Sequence, residues 1–229
     1  KEAYAEGITV IPVGHHNLQR LSRVYVEECV IENCDEVREL FERYLTPVYF
    51  SGHLHTQKVM KHLTEPGMGS DTYGIWEIVS NSLILPPCQY GTVTLNTDGS
   101  IDYLAKTVDV STWAAANGET DPNLLEFSSY AADYLQAVIK NQIFKTLEDV
   151  PKELKEVMAD FYMDIYKDYY AGVPISYSEK KNEFGYGLWV RYMDPSVEFR
   201  QLDGMMRDTM SANNHAEIPN PVRLKRPEQ

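Results

Sequence analysis

The sequence predicts an α/β protein: a sheet with helical cover over residues 1–112, then a mainly helical region over residues 113–229. Three observations carry this reading. Short apolar runs rich in β-branched and aromatic residues recur early, at 8–13, 48–50 and 75–80. Asp98-Gly99, inside "YGTVTLNTDGSIDYLAKTVDV", is a strong hairpin signal. Beyond Asp121 the apolar residues change to helical spacing over two long segments.

In order along the chain, "GITVIPVGHHNL" opens with a strand-like run at 8–13, broken by Gly14, with His15 and His16 at its end. Residues 22–35 read as a loop. Asp35 suits a helix N-cap, and Val37, Leu40, Phe41, Tyr44 and Leu45 keep the i, i+3, i+4 spacing of one buried helical face. Thr46-Pro47 stops that helix. Residues 48–50, "VYF", form the next strand, and a Ser51-Gly52 turn presents His53 and His55. "GIWEIVSNSL" supplies a strand at 75–80, and residues 90–110 fold as the hairpin. The strands at 8–13 and 48–50 look buried on both faces, so each expects a neighbour on either side.

In the second region Asp121-Pro122 is a cap and first-turn pair. Leu124 through Phe144 follow with helical period. Pro151 begins another helix, carrying Leu154, Val157, Met158, Phe161, Tyr162, Ile165, Tyr166, Tyr169 and Tyr170, and Gly172 ends it. Its aromatic stripe reads as core packing rather than a binding surface. From Val173 on the pattern is mixed, with a short helix at 197–210 and an irregular, basic, proline-broken tail at 218–229.

Composition narrows the function. Hydrophobic residues are 43% and charged residues 24%, ordinary for a globular protein, and no apolar run reaches the length of a membrane span. A formal net charge of −13 argues against binding nucleic-acid backbones. An anionic substrate such as a phosphate ester would need local positive charge, which bound cations supply. Cys29, Cys34 and Cys88 form no CxxC pair or disulfide framework; Cys29 and Cys34 read as unrelated thiols before a disulfide or a weak metal pair. The chain starts "KEAYAEG", without Met, so the compartment is not read from its beginning.

The chemistry-bearing pattern is the repeated design "VIPVGHHNL" and "VYFSGHLHTQ": a strand ends, glycine breaks it, and histidine follows. Ligands gather where strands end and loops begin. The intervening helix allows the two strands to run parallel. Side by side they would bring His15, His53 and His55 together as a metal site. No HExxH helix or paired Cys/His zinc spacing occurs, and His62 and His215 read as surface residues.

"GHHNL", then "FSGHLHTQ" about forty positions on, then "IWEIVSNSLILPPCQYGTVTL", resembles the C-terminal half of a calcineurin-like metallophosphoesterase, over roughly residues 7–110. The resemblance is greatest to bacterial members with an appended helical region. It implies part of a metallophosphoesterase-type β-sandwich flanked by helices. It implies that His15 and His53 ligate one metal and His55 the other, and that two divalent or trivalent ions (Mn, Fe, Zn or similar) hydrolyse a phosphomonoester or phosphodiester. His16 has no fixed ligand role in that family; it reads as a substrate-facing catalytic residue or one that supports the ligands, with packing as the alternative. Asn17 reads as a turn-stabilising side chain. The resemblance favours an extracytoplasmic location.

Three further motifs of that family, DxH, GDxxD and GNHD/E, do not occur. They would precede Lys1. The expectation is therefore that this chain supplies only part of the ligand set, and that an N-terminal half of the same protein, or another copy of the chain, completes the site and covers its apolar edge. The alternative from a different class is a non-catalytic metal-binding or partner-binding module.

Overall fold

The structure, a computed structural model, describes residues 1–24, 28–62, 74–208 and 213–221. The chain divides into two compact units, one of Lys1–Asn81, Gly91–Lys106 and Ser211–Gln229, the other of Ser82–Tyr90 and Thr107–Met210. Among the described residues it is a mixed α/β fold with two small sheets and nine helices.

The first unit contains α1 (Glu2–Ala5), α2 (Cys34–Arg43), β1 (Val48–Ser51), β2 (Lys58–Lys61), β3 (Trp76–Val79), most of β4 (Gln89–Leu95) and β5 (Ile101–Thr107), and β6 (His215–Ile218). One sheet has the order β1-β3-β2. β1 runs parallel to β3, with Phe50 opposite Ile78, and β2 runs antiparallel to it, with Val59 opposite Ile78. The other sheet has the order β4-β5-β6, and β6 is antiparallel to β5. Alternate residues on a strand face opposite ways. Val48, Val59 and Ile78 accordingly share one buried cluster with Ile101, Tyr103, Ala216 and Ile218 of the second sheet. On the other face Tyr49 joins Leu18 and Ile75, with Val37 and Phe41 of α2 packed against them. Each such buried side chain contributes about 1.5–3 kcal/mol. The first sheet is thus covered on both sides, and Tyr49, Ser51 and Glu77 on its α2 face are buried.

The second unit contains α3 (Val110–Ala116), α4 (Pro122–Leu125), α5 (Phe127–Thr146), α6 (Lys152–Ala171), α7 (Tyr177–Lys180), α8 (Phe184–Met193) and α9 (Val197–Arg207). α6 is its axis and touches α5, α8 and α9. Met158, Phe161, Tyr162, Ile165, Tyr169 and Tyr170 are buried, so the aromatic stripe is core. Trp189 Nε1 donates to the Met158 carbonyl at 2.8 Å, which gives a buried indole N–H its partner. Gly172 ends α6 in the left-handed conformation, φ 72°.

Several expectations need correction. Residues 8–12 form no strand, and Val13 makes a single parallel bridge to Phe50. Pro12 has no N–H to give a ladder. Ile8, Val10 and Val13 are exposed, not buried on both faces. Asn33, not Asp35, occupies the N-cap of α2; Asp35 lies in the first turn, where a negative charge suits the helix dipole, and pairs with Arg38 at 2.7 Å. The helix expected from Leu124 to Phe144 is interrupted at Glu126. Residues 209–210 of the helix expected at 197–210 lie outside the described residues. β2, β6, α3 and α8 were not foreseen. The three cysteines are free, so Cys29 and Cys34 form no disulfide. A metallophosphoesterase-type β-sandwich is not seen among the described residues. No helix among them is long and apolar enough to cross a membrane.

Candidate functional site

Backbone hydrogen bonds zip the two histidine-bearing turns together. Phe50 N–H donates to Pro12 O (3.1 Å), Gly14 N–H to Phe50 O (2.9 Å) and Gly52 N–H to His15 O (3.0 Å). Tyr49 then braces the turn from below, its hydroxyl donating to the His16 carbonyl at 2.9 Å. Gly14 makes room for it. A Cβ there would lie 3.0 Å from Tyr49 Cζ and closer still to its hydroxyl oxygen.

The chain turns sharply after β1. His53 (φ 63°) and His55 (φ 55°) both adopt left-handed backbone, a conformation that costs a non-glycine residue about 1–2 kcal/mol. Strain of this size persists only where the surroundings enforce it. Here the Gly52–His15 hydrogen bond and the buried Leu54, 5% exposed, hold the turn.

The geometry brings three imidazoles together. His53 Nδ1 lies 3.1 Å from His15 Nε2. Ring centroids are 5.1 Å apart for His15–His53, 5.2 Å for His15–His16 and 4.7 Å for His16–His53. His15, His16 and His55 are exposed and His53 is half-buried. Burial holds the His53 imidazole below its ordinary pKa, reinforced by His16, His15 and His55. This favours the neutral imidazole, one of whose ring nitrogens can accept a hydrogen bond. His55 acts on His53 electrostatically, without a ring contact to it among the described residues. His62 lies apart, 3.0 Å from Glu42, and His215 is exposed on β6. Among the described residues no group of three or more His, Cys, Asp or Glu side chains is arranged to hold a metal ion.

Beneath the turns lies a polar network that the sequence did not reveal. Glu77, in the middle of β3 and fully buried, accepts from Leu18 N–H and from Ser51 Oγ, both at 2.8 Å on Oε1. Asn17 Nδ2 donates to Ser51 Oγ at 2.9 Å. Asn17 therefore does stabilise the turns, by a long-range bond across them. The signal available in the sequence was an acidic residue inside an apolar strand, "IWEIV", where a buried carboxyl needs partners. Burial raises the Glu77 carboxyl above its ordinary pKa, opposed by hydrogen bonds from Leu18, Ser51, Asn17 and Gln19.

Residues 109–212 match the family model for the C-terminal domain of cyclic nucleotide phosphodiesterase. The helical region is thus similar to a domain found in a cyclic nucleotide phosphodiesterase. It also corrects the resemblance to calcineurin-like metallophosphoesterases, which rested on residues 7–110. The family that matches is a different one and lies over the helices instead. Short patterns such as "GHLH" recur in many contexts, whereas the helical match spans most of the second unit. No curated protein matches the chain.

Proposed function

We propose that the chain belongs to a metal-dependent hydrolase of phosphoric esters, with a phosphodiester as substrate, and that its histidine turns supply part of the reacting centre. The observation that carries this reading is the 3.1 Å separation of His15 Nε2 and His53 Nδ1. Two nitrogens each about 2.0–2.1 Å from one ion stand about 2.9–3.4 Å apart, so the pair fits a shared cation. The lowered pKa of His53 favours the neutral form that a ligand needs.

In this reading His15 and His53 would hold one ion, His55 would contribute to a second, and His16 would act on the substrate. The ions are divalent or trivalent (Mn, Fe, Zn or similar). When bound they supply a hydroxide near neutral pH and offset negative charge at phosphorus. The chain's own part is to aim the imidazoles, through the left-handed turn at His53 and His55 and the backbone zipper at His15. The match of residues 109–212 to a phosphodiesterase domain supports a diester substrate.

The test is Mn²⁺ binding by calorimetry, with turnover of bis(p-nitrophenyl) phosphate, in the longest protein that carries this chain. Binding and turnover, both lost in His53→Ala, are the expected result. A protein that binds no Mn²⁺ and turns over no diester overturns the proposal. It would favour the second reading, a non-catalytic partner-binding module, for which the lack of a three-ligand group among the described residues speaks.

A further inference from the structure

The two histidine turns are 38 residues apart in sequence, yet their side chains meet within hydrogen-bond distance. Backbone bonds align the main chains, but they do not fix the depth at which each turn sits on the sheet. One buried atom does. Glu77 Oε1 accepts from Leu18 N–H, two residues past His16, and from Ser51 Oγ, two residues before His53. Asn17 closes the triangle, donating to Ser51 Oγ at 2.9 Å and reaching the Gly52 carbonyl at 3.5 Å. β3 is the central strand of its sheet, so the anchor stands on a strand paired on both sides.

The other oxygen matters as much. Glu77 Oε2 and Asn17 Oδ1 are both buried acceptors without a hydrogen bond among the described residues. No cation pairs with Glu77 among those residues. A carboxylate there would leave a charge in a dry site with no cation beside it, and burying such a charge is costly even where hydrogen bonds offset part of it. A proton on the carboxyl removes that charge and leaves Oε1 free to accept its two bonds.

We propose that Glu77 is a neutral, protonated positioning residue, which pins the His15–His16 turn and the Ser51–His53 turn to β3 and so sets the meeting of His15 with His53. Its catalytic meaning rests on the proposed histidine site; the geometry stands without it. An uncharged glutamine keeps both bonds that Oε1 accepts, from Leu18 N–H and Ser51 Oγ, without a charge to bury.

The test needs neither metal nor turnover. Through-space NMR cross-peaks between the His15 and His53 ring protons are recorded on the whole chain, with thermal unfolding as the check on folding. Glu77→Gln is expected to fold and keep the cross-peaks. Ser51→Ala, which cuts the tie to the second turn, and Glu77→Met, which cuts both, are expected to lose them. A Glu77→Gln chain that unfolds or loses the cross-peaks overturns the neutral acid. Either cutting variant that folds with cross-peaks intact overturns the positioning role; should Glu77→Met fail to fold, Ser51→Ala decides it. Intact positioning in a protein that binds no Mn²⁺ would sink the proposed function alone.

Discussion

Gly14 and Gly52 look alike in the sequence: each breaks a β-rich run just before a histidine. The structure separates them. Gly14 has no positive φ, so alanine is excluded there by contact rather than by backbone conformation. Its Cβ would meet Tyr49 Cζ at 3.0 Å and Cε2 at 3.4 Å. Tyr49 cannot withdraw, because it is 5% exposed and its ring lies 6.1 Å from that of Phe41. Forcing an extra methyl into such packing costs about 1–3 kcal/mol. Displacing the ring also breaks its hydrogen bond to the His16 carbonyl, worth about 1 kcal/mol. Gly14→Ala should therefore lower the stability of the first unit by about 2–4 kcal/mol. At Gly52 the nearest atoms to an added Cβ are His15 Nδ1 and O, both at 3.8 Å, an ordinary contact. Gly52→Ala should stay within about 0.5 kcal/mol of the parent. Native-state hydrogen exchange at the Phe50 and Trp76 amides reads the sheet of this unit alone, without assuming that both units melt together. Equal losses in the two variants, or an undisturbed Gly14→Ala chain, would refute the steric account.

Three other outcomes are expected. Burial raises the Glu77 carboxyl from its ordinary 4.5, so the folded state keeps a proton that the unfolded state has released. Stability of the parent relative to Glu77→Gln should then fall as pH rises from about 4.5 through the folded-state value, and urea titrations at a series of pH values check the sign. Gly185→Ala on α8 would set a Cβ 2.6 Å from Phe161 Cβ, and should separate α8 from α6 with a loss of about 1–3 kcal/mol, seen in amide exchange along α6. Ser196 Oγ caps α9 by accepting from Phe199 N–H at 3.1 Å, so Ser196→Ala should cost about 1 kcal/mol, measured by urea unfolding.

Elements with strong local signals were legible. β1, the Asp98-Gly99 hairpin turn and α6 with its Gly172 stop follow directly from pattern and turn chemistry. What escaped depends on tertiary partners. β2, "KVMK", carries two lysines and looks like a surface segment, yet Lys58 is 2% exposed and its Nζ reaches the Leu21 carbonyl. β6, "HAEI", pairs with β5 more than a hundred residues before it in the chain, and no local rule announces such a partner. The run at 8–13 misled in the other direction: its composition is that of a strand, but one proline removes the ladder. At the site, the glycine–histidine turns were plain in the sequence. Their buried anchor was not, because Glu77 gains its meaning only from Leu18 and Ser51, far from it along the chain.

The pairing of β6 with β5 has a thermodynamic corollary. Between those strands the chain runs through α3 to α9, the helices of the second unit. Should the helices melt, the last strand would be held to the sheet across a slack tether of roughly a hundred residues, whose closure entropy is about 4 kcal/mol. Folded helices take up that slack in advance. A lesion in α6 would then loosen the far end of the sheet with no side chain carrying the message.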